Sequence, residues 1–235
     1  MKLLLISNST NPGEPYLSHP GQQIKDFLGA RPVRALFIPY AMVTGSYDDY
    51  ESRVETRFAE MGHHVTGIHR CDNAANAVEE AEAIVVGGGN TWALVHRVHA
   101  DGLMEVIRKK VLRGTPYIGW SAGSNMACPT LRTTNDMPIV QPASFDTLNL
   151  IPFQINPHYT DVQPEGHGGE TREQRILEFI KVNPDIRVVG LRESSMLLLD
   201  SGRLRLIGNP KARIFQEGAD PKELSAEDDF SFLLQ

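Results

Sequence analysis

The chain has 235 residues, 41% of them hydrophobic and 22% charged, the balance of an ordinary globular protein with enough length for one sizeable core. A formal net charge of −6, with no block of lysines and arginines, argues against nucleic acid and anionic membranes as partners. The apolar run at residues 1–6 is too short for a signal-peptide core or a bilayer span, and Cys71 and Cys128 have neither metal nor redox spacing. A cytoplasmic protein with free thiols, no metal and no cofactor is the expectation.

In chain order, residues 3–6 form an unbroken apolar run, as in a strand buried on both faces. Residues 21–28 suit a short helix, and 33–40, centred on Ala35-Leu36-Phe37-Ile38, a second buried strand. Tyr50, Val54, Phe58 and Met61 recur at helical spacing and predict a helix over 47–61. A strand at 64–68, a helix at 73–81 and a strand at 83–86 follow. That last strand runs into Gly87-Gly88-Gly89-Asn90-Thr91, and helices over 91–98 and 103–113 come next. Residues 132–138 read as a polar loop, 148–155 as a strand, 170–183 as an amphipathic helix and 186–191 as a buried strand. Residues 196–199 and 204–207 flank Asp200-Ser201-Gly202, a hairpin turn, and 212–215 add a strand. The acidic tail from 221 carries no signal. The alternation predicts a single domain over 1–235: a three-layer α/β sandwich, its central sheet mainly parallel, with an antiparallel addition near the C-terminus.

In such sheets functional groups collect beyond the carboxyl ends of the strands. There, after Tyr117-Ile118, stands Gly119-Trp120-Ser121-Ala122-Gly123, a G-x-S-x-G nucleophile elbow. A serine on a sharp strand-to-helix turn projects its hydroxyl from the sheet, and the following N–H, that of Ala122, is placed as an oxyanion donor. The loop at 87–91 opens a helix with free backbone N–H groups, so it serves as an oxyanion loop or a phosphate cradle. It lacks the P-loop lysine and the G-x-G-x-x-G spacing, which favours the oxyanion role.

A serine nucleophile needs a base and a carboxylate to orient it. Of eight histidines, His158 follows a strand-like run, with Asn156-Pro157 placed to set a turn at the strand end; His167, in a glycine-rich loop, is second. Asp136 and Glu193 are both candidates for the carboxylate, the first in the polar loop after the elbow, the second just past a buried strand.

These residues together resemble the peptidase E family of α-aspartyl dipeptidases. The likeness runs through the segments at 3–10, 85–91 and 117–123, then Arg132-Thr133-Thr134-Asn135-Asp136-Met137-Pro138, Gln154-Ile155-Asn156-Pro157-His158, Pro164-Glu165-Gly166-His167 and Gly169-Glu170-Thr171-Arg172. It implies a fold like that of the class I glutamine amidotransferases and metal-free hydrolysis of dipeptides with N-terminal aspartate. By motif position it makes Ser121 the nucleophile and His158 the base, supports both Asp136 and Glu193, and favours a Gly88 or Gly89 N–H beside that of Ala122. Specificity for aspartate calls for a cation on its side chain: Arg172 is the first candidate, with Arg132 and Arg175 as rivals. The competing readings are an esterase or amidase with the same residues, and a small-molecule binding module without turnover. The oligomeric state is open, a homodimer included.

Overall fold

The computed structural model describes residues 1–163, 166 and 168–235. The strands are β1 (Lys2–Ile6), β2 (Arg34–Ile38), β3 (His64–Gly67), β4 (Ala83–Val86), β5 (Tyr117–Trp120), β6 (Gln154–Tyr159), β7 (Val188–Arg192), β8 (Met196–Asp200), β9 (Arg203–Ile207), β10 (Ala212–Phe215) and β11 (Lys222–Leu224). The helices are α1 (Gly21–Leu28), α2 (Tyr47–Glu60), α3 (Ala74–Glu80), α4 (Thr91–Ala100), α5 (Met104–Leu112), α6 (Ala122–Met126) and α7 (Arg172–Val182).

Seven strands make the central sheet, in the order β3-β2-β4-β5-β1-β8-β9. β1 to β5 run parallel; β8 pairs antiparallel with β1 and forms a hairpin with β9. The chain's first strand thus lies between β5 and β8. Its side chains alternate between two cores: Leu3 and Leu5 pack with α4, α5 and α6, whereas Leu4 and Ile6 pack with α1 and α2. This is why residues 3–6 read as uniformly apolar, and it gives the expected three layers.

Four further strands form a second sheet, β11-β10-β7-β6, which the sequence reading did not anticipate. β6 and β7 are parallel and joined through α7; β10 runs antiparallel to β7. Apolar residues of both sheets, including Leu5, Ile155, Val189 and Ile214, belong to one buried cluster.

Three expectations shift. Residues 148–153 are apolar and mostly buried but not extended: Leu148, Asn149 and Leu150 donate backbone N–H bonds to carbonyls at the end of α6 and just beyond it, so this stretch packs as a loop. The strand begins at Gln154 and carries Asn156-Pro157 inside it, where a turn was predicted. Pro157 is tolerated because β6 is the edge strand. The segment 132–138 is the predicted loop. The helix predicted over 170–183 starts at Arg172, behind a capping box: Thr171 Oγ1 accepts from Gln174 N–H, and the Gln174 side chain accepts from Thr171 N–H. Among the described residues no helix is long and apolar enough to cross a membrane.

Candidate active site

β5 ends at Trp120, and Ser121 follows with φ 53° and ψ −112°, a conformation that L-residues rarely adopt. Neighbours on both sides hold it there. Its N–H donates to Ile6 O at 3.0 Å, and its carbonyl accepts from Ser124 N–H and Asn125 N–H at 2.9 and 3.1 Å. The flanking glycines are a packing necessity. A Cβ on Gly119 would stand 2.3 Å from Gly123 O, and one on Gly123 would stand 2.2 Å from Val86 O. The tight strand-to-helix passage therefore admits no side chain at either position.

His158 sits near the end of β6 with φ 55°, where the register with β7 shifts between Pro157 and Tyr159. The bulge, not a turn, aims its ring. Ser7, fully buried just past β1, holds the bulge: its Oγ accepts from His158 N–H at 2.9 Å and donates to Leu191 O at 2.8 Å. His158 Nε2 lies 2.9 Å from Ser121 Oγ, and Nδ1 lies 2.7 Å from Glu193 Oε1. A carboxylate only accepts hydrogen bonds, so Nδ1 carries the hydrogen toward Glu193, which leaves Nε2 to accept from the serine.

Glu193 is the first residue beyond β7, in a turn clasped by the first loop of the chain. Ser194 N–H donates to Asn8 Oδ1 at 2.8 Å, Ser194 Oγ to Asn11 Oδ1 at 2.9 Å, and Ser7 N–H to Ser195 O at 3.0 Å. Arg192, one residue earlier, braces the turn from the other side. It pairs with Asp161 and Glu223 and lies over the Tyr159 ring at 5.3 Å. Its pKa is raised, first by the hydrogen bond to Glu223.

Asp136 does not reach His158. Its Oδ2 accepts from Thr91 N–H at 2.7 Å and from Thr134 Oγ1 at 2.9 Å, so it satisfies the first turn of α4. The loop around it is lashed to β6, with Asn135 Nδ2 donating to Pro157 O at 2.7 Å and Asn156 Nδ2 to Thr133 O at 2.9 Å. These bonds also weigh against a phosphate cradle at the start of α4. Thr91 N–H is taken by Asp136, and Ala93 N–H is taken by Asn90 Oδ1 at 3.0 Å.

The Gly88 peptide is pinned from below. Tyr50 Oη donates to Gly88 O at 3.1 Å and accepts from Trp120 Nε1 at 3.1 Å and from Tyr16 Oη at 3.3 Å. The loop lies against the elbow: a Cβ at Gly88 would come within 3.1 Å of Ser121 Cβ. Among the described residues the N–H groups of Gly88, Gly89 and Ala122 have no protein acceptor. Neither Tyr50 nor Ser7 was singled out as a functional residue from the sequence. A tyrosine on a helical stripe reads as core, and here it is core with a working hydroxyl.

Ser121 and His158 line two cavities. One, about 850 Å³, is also lined by Asp136, Arg172 and Glu193; the other, about 360 Å³, by Tyr16, Tyr50, Arg53, Gly88 and Gly89. Arg172 is half-buried and has no carboxylate partner among the described residues; burial lowers its pKa from the usual arginine value, with Arg175 adding to the effect and Asp136 opposing it. Arg132 is exposed, lies over the Phe145 ring at 5.7 Å and lines neither of these cavities. Arg175 is exposed and 3.6 Å from Glu170. His167, the second candidate for the base, lies outside the described residues.

Residues 3–207 match the model of the family described as Peptidase family S51. Peptidase E of Nostoc sp. is 50% identical over 234 residues, which cover 100% of this chain and 97% of that protein. Peptidase E of Escherichia coli is 48% identical over 226 residues, covering 96% of this chain and 98% of that one. Among solved structures, a peptidase from an acI-B1 Actinobacterium superposes with a TM-score of 0.70 at 18% identity, covering 98% of this chain and 96% of that one. A putative peptidase E from Listeria monocytogenes gives 0.60 at 21% identity, covering 95% and 98%. The two structures share the mixed α/β fold; the extent of the sequence matches carries the assignment further, and the chain belongs to peptidase family S51 and is a serine peptidase.

Proposed function

We propose that the protein hydrolyses dipeptides with an N-terminal aspartate through an acyl-enzyme on Ser121. The observation that carries the reading is the unbroken chain from Ser121 Oγ to His158 Nε2, 2.9 Å, and from His158 Nδ1 to Glu193 Oε1, 2.7 Å. In this reading Glu193, not Asp136, orients the base. Ser121 Oγ attacks the scissile carbonyl while His158 takes its proton. The N–H of Ala122 and one from Gly88 or Gly89 receive the oxyanion; a single such donor is worth on the order of a hundredfold in rate. His158 then gives the proton to the leaving nitrogen as the C–N bond breaks. A water, deprotonated by the same histidine, releases the aspartate and restores Ser121.

Arg172 supplies the cation for the aspartate side chain, since a guanidinium grips a carboxylate with two parallel hydrogen bonds. Arg172→Ala should weaken Asp-Xaa cleavage far more than it alters thermal stability, and an unchanged preference for aspartate would remove it from this role. A cytoplasmic setting fits the free thiols of Cys71 and Cys128. One domain over 1–235 fits the apolar cluster common to the two sheets.

The test is amino-acid release from Asp-Xaa, Glu-Xaa, Asn-Xaa and N-acetyl-Asp-Xaa in the presence of EDTA, for the wild type and Ser121→Ala. Release from free Asp-Xaa alone, abolished in the variant, supports the reading. A folded wild type that cleaves none of them refutes it and moves weight to an esterase, amidase or binding role.

A further inference from the structure

A hydrolase that splits its substrate at Ser121 has two halves to hold, and Ser121 stands between two cavities. The larger contains Arg172 and Asp136 and, on the reading above, takes the aspartyl half. The smaller, about 360 Å³, has a different character: its walls are Tyr16, Tyr50, Trp120 and Met42 with Ser9 and Thr10, and the oxyanion candidates Gly88 and Gly89 open into it. His158 lines it too, so a nitrogen leaving on this side stays within reach of the proton that His158 must return.

At its rim is a cation that the proposed chemistry does not yet use. The Arg53 guanidinium lies 4.7 Å from the Tyr16 ring centre and 5.2 Å from that of Tyr50. Among the described residues no carboxylate stands within ion-pair distance of it, although Arg34 and Arg57, the nearest arginines in sequence on either side, both have one. Stacking holds a guanidinium by its face and leaves its N–H edge free for an anion. An aromatic recess with polar groups among its walls and a free cation at its edge has the chemistry of a site for an amino acid bearing its own carboxylate.

We propose, building on the dipeptidase reading, that this cavity receives the leaving residue of the substrate and that Arg53 binds its terminal carboxylate. The site then measures length. One added residue turns the carboxylate into an amide and carries the negative charge roughly 3.5 Å further out, beyond the stacked guanidinium. A restriction to dipeptides follows from Arg53 without any steric wall.

The experiment compares kcat/KM for Asp-Leu, Asp-Leu-amide and the p-nitroanilide of aspartate, for the wild type, Arg53→Gln and Arg53→Lys. The wild type should favour Asp-Leu over its amide by about tenfold to a hundredfold, the worth of a hydrogen bond between charged groups. Arg53→Gln should lower Asp-Leu cleavage until acid and amide are equal, leaving the anilide unchanged, and Arg53→Lys should retain part of the preference. Equal wild-type rates on acid and amide, or a loss in Arg53→Gln that is the same on all three substrates, would overturn this subsite while leaving the dipeptidase reading intact. Failure of the wild type to cleave any of the three would overturn both.

Discussion

Tyr50→Phe removes one oxygen atom from the wall beneath the oxyanion loop, and its two effects can be measured apart. The ring stays, with its packing against Phe37 at 5.0 Å between centres. Three bonds go: to Gly88 O, from Trp120 Nε1 and from Tyr16 Oη. A buried polar group left without a partner costs about 1–3 kcal/mol, and Trp120 is almost wholly buried. For a chain of this length each kcal/mol lowers Tm by about 2–4 °C, so a fall of roughly 2–12 °C is expected. The catalytic effect has a separate origin. Gly88 O and Gly89 N–H belong to one planar trans peptide and point in opposite directions. Freeing the oxygen frees the N–H to swing, and complete loss of one donor costs about a hundredfold. The expected outcome is a fall in kcat of between tenfold and about a hundredfold with KM little changed, assayed well below the lowered Tm. Burial raises the Tyr50 pKa above its usual value, so the hydroxyl remains a donor across the working pH range and the defect should be pH-independent. A variant that melts earlier yet keeps wild-type kcat would refute the argument and leave Tyr50 as a core residue only.

Glu193→Gln should lower kcat on the order of a hundredfold or more, whereas Asp136→Asn should cost about 1 kcal/mol of stability at the start of α4 and change kcat less than tenfold; the reverse ranking in steady-state kinetics would reassign the orienting carboxylate. Gly123→Ala, favourable by helix propensity, should instead leave little folded or active protein, because the new methyl would stand 2.2 Å from Val86 O; wild-type circular dichroism with full activity would contradict it. The Glu223 carboxyl is held below its usual pKa by the hydrogen bond to Arg192, opposed by partial burial. A depressed folded-state pKa stabilises the fold above the unfolded-state value and loses that effect as pH falls through the folded value. Glu223→Gln should therefore melt below the wild type at pH 7, with the gap closing as the pH drops below about 4, and a gap that widens in acid would refute the assignment. Cys128 is fully buried, its thiol pushed up to about 12 by burial, so a thiol reagent at pH 8 should reach it only after denaturant is added; rapid modification of the native protein would overturn that.

The elements near the elbow were legible because local patterns decide them. Residues 3–6 and 83–86 are apolar on every position and prove buried on both faces, and the spacing of Tyr50, Val54 and Phe58 puts all three in the core. Gly119 and Gly123 announced their close approach through composition alone. What sequence could not show was partnership. Strands at 186–191 and 212–215 were visible, but nothing in an apolar run says which of two sheets it will join. Residues 148–153 are as apolar as a strand and nonetheless pack as a loop, because the carbonyls at and beyond the end of α6 take up their N–H groups. Asp136 and Glu193 are both loop carboxylates near a motif. Only the fold shows that one faces the N–H groups of α4 and the other the ring of His158.

The position of β1 has a consequence for the timing of synthesis. It leaves the ribosome long before its neighbour β8, and the loop behind it waits for the turn at 193–195. A nascent chain that stops short of β7 contains β4, β5 and α6, the elements around Ser121. It has no carboxylate on His158, and without β7 the backbone carbonyl that anchors Ser7 is missing as well. On the proposed reading such a chain carries Ser121 without an oriented base. On that reading the site is completed only when β7 and the turn beyond it arrive, and truncation before them is expected to yield an inert fragment rather than a loose hydrolase.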